Sequence, residues 1–514
     1  MRTDIDLGEK LLPAVGSRHS KLGRWAALGV LTILYAALIA VQINRHLWFD
    51  ELLTYHIAQA PSLGRLLELV KRWDLNPPLL HVLAHFSLVL AHGNPIAIRY
   101  PSILEFYIAS VLLFFYSSRK LGRAFASLPV LLLWYSPMFQ YATEARPYAA
   151  LCMWFCALLL LRDLAIQGER RGSVLIAIAF CSVGLLSAHV FGPFSLVAFA
   201  VAEAVRYAHT KQVDYRLWAA LFLPLVLVVF YVPFFENYSA ITDYPFAFQA
   251  GMDKAASFYW HTFLSVSACL ALVLLCAWLW KRRSVEPQRG RLRLDEWALL
   301  LVLVLMPIVL NMALASEHAP FWGRYCITSA VAIYFLFGLL PATLTRNDQG
   351  AGYAAGITAG ALILIQNVLL PINKNRLEPA PMSAAMLAAI KPELPVVAAS
   401  GLTFVEMGQY ETPQLLSRLF YLQDRAAAMQ FAHATIFEDL GDFQQAFKLP
   451  GTIESYRQFT RDHPAFLVLG TFSYPEDWLL RKLSADGAEI VRSGVYRTPY
   501  KDKTLYEVHL RGKA

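Results

Sequence analysis

Charge is scarce in this chain of 514 residues: Asp, Glu, Lys and Arg make up 16%, against 57% hydrophobic residues and a mean hydropathy of +0.45. Soluble domains carry about 25% charged residues, and a water-soluble chain this apolar would expose more nonpolar surface than solubility tolerates. A soluble globular protein is excluded; an integral membrane protein remains. Cysteine is sparse too. Cys152, Cys156, Cys181, Cys269, Cys276 and Cys326 all lie in apolar stretches, and none follows residue 326. No disulfide framework or Cys-type zinc site is expected in the C-terminal part, and the thiols read as small buried hydrophobes. There is no repeat of about 20–50 residues and no low-complexity tract. No basic run interleaved with aromatics marks a nucleic-acid surface. The net charge of +8 (45 Lys+Arg against 37 Asp+Glu) therefore points to basic loops facing anionic lipid.

Long apolar runs are what the chain has instead. A polar segment, 1–24, carries Arg2, Lys10, Arg18, Lys21 and Arg24. The run from Trp25 to Ile43 that follows is long enough to span and exceeds the apolar core of a cleaved signal. Further runs near 99–117, 124–141, 147–161, 173–190, 191–205, 217–235, 258–280, 297–315, 322–344 and 352–372 give eleven predicted spans. Segment 77–92 is left out on charge. With the N-terminus inside and 77–92 not crossing, the inside loops hold Arg119-Lys120-Arg123, Arg162/Arg170/Arg171, Arg206/Lys211/Arg216 and Lys281 to Arg293. The short outside loops hold little positive charge, chiefly Arg146, Lys254 and Arg324. A crossing at 77–92 would invert this against the positive-inside rule.

The first outer loop, 44–98, then lies along the membrane. Ser62 is placed to cap a helix whose stripe of Leu63, Leu66, Leu67, Val70 and Trp73 opposes Arg65, Glu68, Lys71 and Arg72. That pattern predicts an interfacial amphipathic helix, with packing on a partner helix as the alternative. After the last span, 373–382 reads as a linker. Residues 383–514 read as a small α/β domain outside the cytoplasm, with strands near 395–400, 466–470, 489–495 and 505–510 and helices near 413–430 and 475–486. The predicted fold class is a mostly α polytopic membrane protein, with a cytoplasmic tail (1–24), a transmembrane domain (25–372), amphipathic juxtamembrane helices in its first outer loop, and that C-terminal α/β domain.

In so apolar a chain the informative residues are acids, Arg and His gathered at span ends. The outer ends collect Asp50 and Glu51 in WFDE, Arg99 in IRYPS, Glu144 and Arg146 in YATEARPY, His189, and Arg324 in FWGRY. Singly, each is also explained as a snorkelling Arg or an interface-anchoring acid. His81 and His85 have i, i+4 spacing that suits a metal, or are simply interfacial histidines. A lone carboxylate beside the bilayer surface is suited to act as general base on an acceptor hydroxyl, with nearby arginines holding a phosphate that leaves as a stabilised anion. Such a leaving group needs little acid assistance, and a single displacement inverts the sugar carbon.

WFDE, NPPLLHVLAH, IRYPS, RKLGR, SPMFQYATEARPYA and the late GRY together resemble the GT-C membrane glycosyltransferases. Within that family the resemblance is to the group of protein mannosyltransferases, lipid A aminoarabinose transferases and rhizobial galacturonosyltransferases. It covers residues 25–235, with a weaker echo near 318–345. The resemblance implies a polyprenyl-phosphate-linked sugar donor, a glycan, lipid or protein acceptor, membrane lipids as surroundings, and a site on the outer face of a bacterial cytoplasmic (inner) membrane. It implies Asp50 as catalytic base, with Glu51 orienting it or contacting acceptor. Arg99, Glu144, Arg146, His85, His189 and Arg324 follow as donor- or substrate-binding residues. A divalent metal, where members use one, would have Asp50 and Glu144 as candidate ligands. Asn76 stands where the family often has His before Pro-Pro, and Thr143 where Gln is common. A transporter or lipid flippase, with Glu105 inside a span, is the alternative from another class; a scaffold with a degenerate site is the third reading.

Overall fold

The computed structural model describes residues 14–169, 171–234, 250–281, 292–369, 391–433, 440–474, 477–497 and 502–510. The predicted linker at 373–382 and the basic stretch Arg282 to Arg291 lie outside them, as does Arg170 and the first half of the predicted tail.

Helices dominate up to residue 369. They are α1 (Ala14–Gln42), α2 (Phe49–Ala58), α3 (Leu63–Trp73), α4 (Leu79–Leu90), α5 (Tyr100–Lys120), α6 (Leu128–Tyr135) and α7 (Tyr148–Ile166). Then come α8 (Arg171–Ala188), α9 (Gly192–Thr210), α10 (Tyr215–Phe222), α11 (Met252–Trp280), α12 (Leu294–Ser316), α13 (Ile327–Leu344) and α14 (Gln349–Leu364). Among the described residues, eight segments are long and apolar enough to cross a membrane: Trp25–Gln42, Pro95–Lys120, Tyr148–Ile166, Arg171–Ala188, Tyr215–Phe234, Met252–Trp280, Leu294–Ser316 and Gly323–Leu344. Each falls on a predicted span. The other three predicted spans are helical but do not meet both conditions. The 124–141 run breaks at Ser136-Pro137, leaving 8 residues in α6, a rise of roughly 12 Å. The 191–205 run becomes α9, whose second half carries Glu203 and Arg206. The 352–372 run becomes the 16-residue α14. α6 packs against α13 and α14 inside the bundle, where Gly352 meets Ala124 so closely that a Cβ there would lie 2.6 Å from the Ala124 side chain.

The segment 77–92 forms α4, an apolar helix too short for the spanning set. Ser62 caps α3 by accepting from the Arg65 amide. On α3, Leu66 and Val70 are buried in protein whereas Leu63 and Leu67 stay exposed, so the predicted stripe divides between partner packing and an outward apolar edge.

The C-terminal domain is built on a six-stranded sheet: β1 (Val396–Ala398), β2 (Leu419–Gln423), β3 (Thr452–Ser455), β4 (Ala465–Gly470), β5 (Glu489–Arg497) and β6 (Asp502–His509), in the order β3-β2-β1-β4-β6-β5. The first four are mutually parallel; β6 runs antiparallel to β4 and pairs with β5 as a hairpin. Alternation sorts the faces, since Val396, Ala398, Leu467 and Leu469 point to one core and Val397, Phe466 and Val468 to the other. The helix expected over 413–430 is corrected: β2 interrupts it, because Leu419 to Leu422 are buried by pairing with β1 and β3 and burial outweighs local helical pattern.

The first of those cores does not stop at the sheet. It continues into Leu47, Leu52, Leu53 and Ile57 around α2, and into Leu66 and Val70 of α3. Trp73 meets Phe443 edge-on at 5.2 Å between ring centres, and Arg72 pairs with Asp442 at 2.6 Å. The C-terminal domain is therefore packed onto the α2–α3 segment, directly over the residues predicted to do chemistry.

Candidate active site

Asp50 and Glu51 open α2, side by side in sequence but opposite in environment. Glu51 is fully buried and held at both oxygens: Arg99 Nε donates to Oε1 and Nη2 to Oε2, each at 2.7 Å, and the Ala145 amide donates to Oε1 at 3.0 Å. The remaining Arg99 donors go to the carbonyls of Ile43, Arg45 and His46. A guanidinium has five N–H donors, and all five are used here. Arg99 thus has none left for a donor phosphate, and Glu51 is closed to an acceptor. The structure makes this pair a bolt between α2, the end of α1 and α5.

The Glu144–Arg146 loop is fixed to the same frame. Besides the Ala145 amide on Glu51, the Thr54 hydroxyl donates to the Ala145 carbonyl at 3.3 Å, and the Ser102 hydroxyl to the Arg146 carbonyl at 3.5 Å. This brings the Arg146 Nε to 3.6 Å from Asp50 Oδ2. From the other side, the short 3-10 turn Gly323–Cys326 presents Arg324 Nη2 at 3.7 Å from the same oxygen. Both distances exceed hydrogen-bond length. Among the described residues, Asp50 Oδ2, Arg146 Nε and Arg324 Nε are all buried without a hydrogen-bond partner. The Arg324 guanidinium also lies over the rings of Trp48, Tyr148 and Trp322, at 5.8, 5.8 and 5.1 Å.

Arg146 has a second acid. Its Nη1 donates to Asp74 Oδ2 at 3.4 Å, and His81 Nε2 is 3.4 Å from that oxygen. Asp74 Oδ1 accepts from both the amide and the side chain of Asn76, each at 2.9 Å. Burial pushes the Asp74 carboxyl up, but Arg146, His81 and the Asn76 hydrogen bonds outweigh it and hold it below its ordinary value. Burial lowers His81 to about 4, so its ring is neutral near pH 7 and charged only in the acid range where Asp74 itself titrates. Asp74 belongs to none of the sequence motifs; its one signal is that it ends α3 two residues before Asn76-Pro77-Pro78.

Glu144 is 3% exposed and faces Arg45, whose Nη2 is 3.5 Å from Oε1. Burial raises its carboxyl to about 7, against the pull of Arg45. His189 stacks on Phe191 and lies 5.2 Å from the Tyr148 ring, and burial drops it to about 3. His85 is placed elsewhere: its Nδ1 meets the Ala58 carbonyl at 2.8 Å and its ring packs on Phe86. Asp50, Glu144, Arg146, His189 and Arg324 are brought to one place; His85 is not. Among the described residues no group of three or more His, Cys, Asp or Glu side chains converges to hold a metal ion. Asp50 and Glu144 both face guanidinium groups instead, a donor set that does not suit a divalent cation.

A cavity of about 410 Å³ opens beside Arg324, lined also by Tyr141, Lys254, Phe258, His261 and Trp322. A second, of about 500 Å³, shares Pro137 and Gln140 with it and is bordered by Gln42, Ser265 and Asn367. The arrangement can hold an anionic group beside a carboxylate at the edge of an apolar bundle.

No curated protein matches the sequence. Solved structures with likeness to the chain include ArnT from Cupriavidus metallidurans in the apo state, at 15% identity and TM-score 0.48, over 94% of this chain and 98% of that one. The same protein bound to undecaprenyl phosphate gives 14% identity and TM-score 0.46, over 93% and 98%. The Archaeoglobus fulgidus oligosaccharyltransferase complex with zinc and sulfate gives 11% and 0.34, over 86% and 68%. These similarities are too low to bear on function. Residues 75–232 match the family model for dolichyl-phosphate-mannose-protein mannosyltransferases. That stretch contains Arg99, Glu144, Arg146 and His189, and over it the chain is similar to the GT-C membrane glycosyltransferases that its motifs point to.

Proposed function

We propose that the chain is an inverting membrane glycosyltransferase that moves a sugar from a polyprenyl-phosphate carrier to an envelope glycan, lipid or protein on the extracytoplasmic face. The observation that carries this reading is the trio of buried polar atoms without a hydrogen-bond partner among the described residues, Asp50 Oδ2, Arg146 Nε and Arg324 Nε, on three side chains that face one another. Buried groups left unpaired cost about 1–3 kcal/mol each, so a fold that keeps them invites a substrate to pair them.

In the reaction, Asp50 Oδ2 takes the proton of the acceptor hydroxyl as that oxygen bonds to the sugar's anomeric carbon. The bond from that carbon to the phosphate oxygen breaks, and its electron pair leaves on the phosphate. Arg324, with Arg146, stabilises the departing charge. One displacement at one carbon inverts its configuration. Asp74 holds Arg146 in place, and the Glu51–Arg99 pair holds α2. No step uses a metal.

Orientation follows from charge. Arg119, Lys120, Arg162, Arg206 and Arg293 gather at the end of the bundle opposite Asp50, interlocked with Asp163, Glu203, Asp295 and Glu296. The positive-inside rule puts that end in the cytoplasm, and the site and the C-terminal domain (383–514) outside a bacterial inner membrane. The transporter reading keeps one observation, the buried Glu105 of α5, whose Oε2 has no partner among the described residues.

The test is transfer in reconstituted membranes, with labelled polyprenyl-phosphate sugars and envelope extract. Label reaching a product of inverted anomeric configuration supports the proposal. Retained configuration would overturn the single displacement, and translocated but untransferred carrier would favour the transporter.

A further inference from the structure

The loop that delivers Asp50 is gripped from two sides. From below, Arg99 donates to the carbonyls of Ile43, Arg45 and His46. From above comes α15 (Gly401–Tyr410) of the C-terminal domain. The Leu47 amide donates to the Tyr410 hydroxyl at 2.7 Å, and the His46 ring stands edge-on to the Tyr410 ring at 4.4 Å. One turn earlier on α15, the Glu406 carboxylate accepts from the Phe49 amide.

Phe49 is the first residue of α2, and its preceding residue, Trp48, supplies no side-chain cap. The first turn of a helix leaves amides unsatisfied and carries the positive end of its dipole, so a carboxylate there stabilises and orients it. Glu406 performs from another domain the task a local Ser, Thr or Asp usually performs. It is buried, 5% exposed, and lies against α2 within the hydrophobic core shared by both regions. Lys503 is the cation that acts on it. Asp50 is the next residue after the capped amide.

We propose that Glu406 and Tyr410 are positioning residues for Asp50, making the C-terminal domain a working part of the active site. The inference rests on Asp50 acting as the base. The carbonyls of residues 43, 45 and 46 are tied to Arg99 and the amides of 47 and 49 to α15, so the start of α2 is held against motion that would carry the Asp50 carboxylate away from Arg146 and Arg324. A displacement of about 1 Å at a reacting group costs on the order of a hundredfold in rate.

The experiment compares full-length wild type, Glu406→Ala, Glu406→Gln, Tyr410→Phe and Asp50→Asn in nanodiscs. Transfer is measured for kcat and KM, and amide hydrogen exchange is followed over residues 46–54. Glu406→Ala is expected to lose at least about tenfold in kcat with donor KM unchanged, and Glu406→Gln, which keeps an acceptor oxygen, to recover most of it. Exchange over 46–54 should quicken in Glu406→Ala and Tyr410→Phe while the melting temperature of the spans holds. Wild-type exchange and kcat in both variants, with Asp50→Asn inactive, would overturn the positioning role alone. Full turnover by Asp50→Asn would instead remove the base on which it rests. Should Glu406→Ala fail to fold, Tyr410→Phe decides, since it deletes only the hydroxyl that accepts from Leu47.

Discussion

Arg99 and Glu51 form a two-point ion pair with both side chains wholly buried, Nε on Oε1 and Nη2 on Oε2 at 2.7 Å each. The two residues are 48 positions apart in sequence. Their pairing ties the end of α1, the start of α2 and the start of α5 into one frame, and the neighbouring Asp50 inherits that rigidity.

Breaking this pair should cost stability before it costs chemistry. Arg99→Lys leaves a point charge with three donors where five were used, and Glu51→Gln leaves the guanidinium buried without its counter-charge. Loss of one partner of a buried pair costs about 3–5 kcal/mol. Both variants are expected to melt well below wild type in detergent; unchanged melting would show that the frame does not depend on the pair.

Arg324 and Arg146 should separate in function. Arg324 borders the cavity and is paired only loosely with Asp50, so Arg324→Ala should raise the KM for donor and lower kcat/KM by roughly 10–100-fold, the worth of one or two charge-assisted hydrogen bonds. Arg146 is shared with Asp74, so Arg146→Ala should also destabilise the fold by stranding that acid. Steady-state kinetics with melting curves checks both; a donor KM unmoved by Arg324→Ala would exclude it from phosphate binding.

Stability should fall with rising pH through Glu144. Its carboxyl has an ordinary value of 4.5 and is raised to about 7 in the fold, chiefly by burial. Between these values the folded state holds the proton and the unfolded state does not, so stability declines as pH climbs from 4.5 and the penalty is complete above 7. His81 and His189, lowered from 6.5 to about 4 and about 3, work the other way, since below 6.5 the unfolded state takes up their protons. The difference between wild type and Glu144→Gln isolates the first effect. The variant should gain most in melting temperature near pH 7–8 and little near pH 4.5, and a pH-independent gap would contradict the assignment.

Much of this site is readable because charge is costly in an apolar chain. Asp50, Glu144, Arg146 and Arg324 stand out at span ends; Asp50 is found between Arg146 and Arg324, and Glu144 is held in the same loop as Arg146 by Arg45. Roles are harder to read than positions. WFDE does not say which acid is free, since that depends on Arg99 meeting Glu51 and on the Ala145 amide, both distant in sequence. Asp74 is hidden for the same reason, being an ordinary helix-ending acid until Arg146 and His81 arrive. His85 looked equivalent to His81, four residues before it, yet the turn of α4 sends it to the Ala58 carbonyl. β2 escaped because Leu419–Gln423 lies between two helical pieces and is a strand only through its neighbours. The hold of α15 on residues 46–49 is wholly tertiary and leaves no local mark.

The orientation is checked by reporter fusions. A reporter joined after Ala514 should be active only if exported, and one inserted between Lys281 and Arg293 only in the cytoplasm. The opposite pattern would invert the protein and place Asp50 on the wrong side for an outer-face reaction.

The central claim is tested most directly by one comparison: turnover of wild type and Asp50→Asn with a labelled polyprenyl-phosphate sugar, in matched nanodiscs, with binding of polyprenyl phosphate measured alongside. Asp50→Asn keeps the shape of the side chain and its place on α2 but removes the base. The account predicts a loss of about 10²–10⁴-fold in kcat, at wild-type melting temperature and with carrier binding retained. Turnover within a few fold of wild type would contradict it, and the general base would have to be sought in another acid of the cluster.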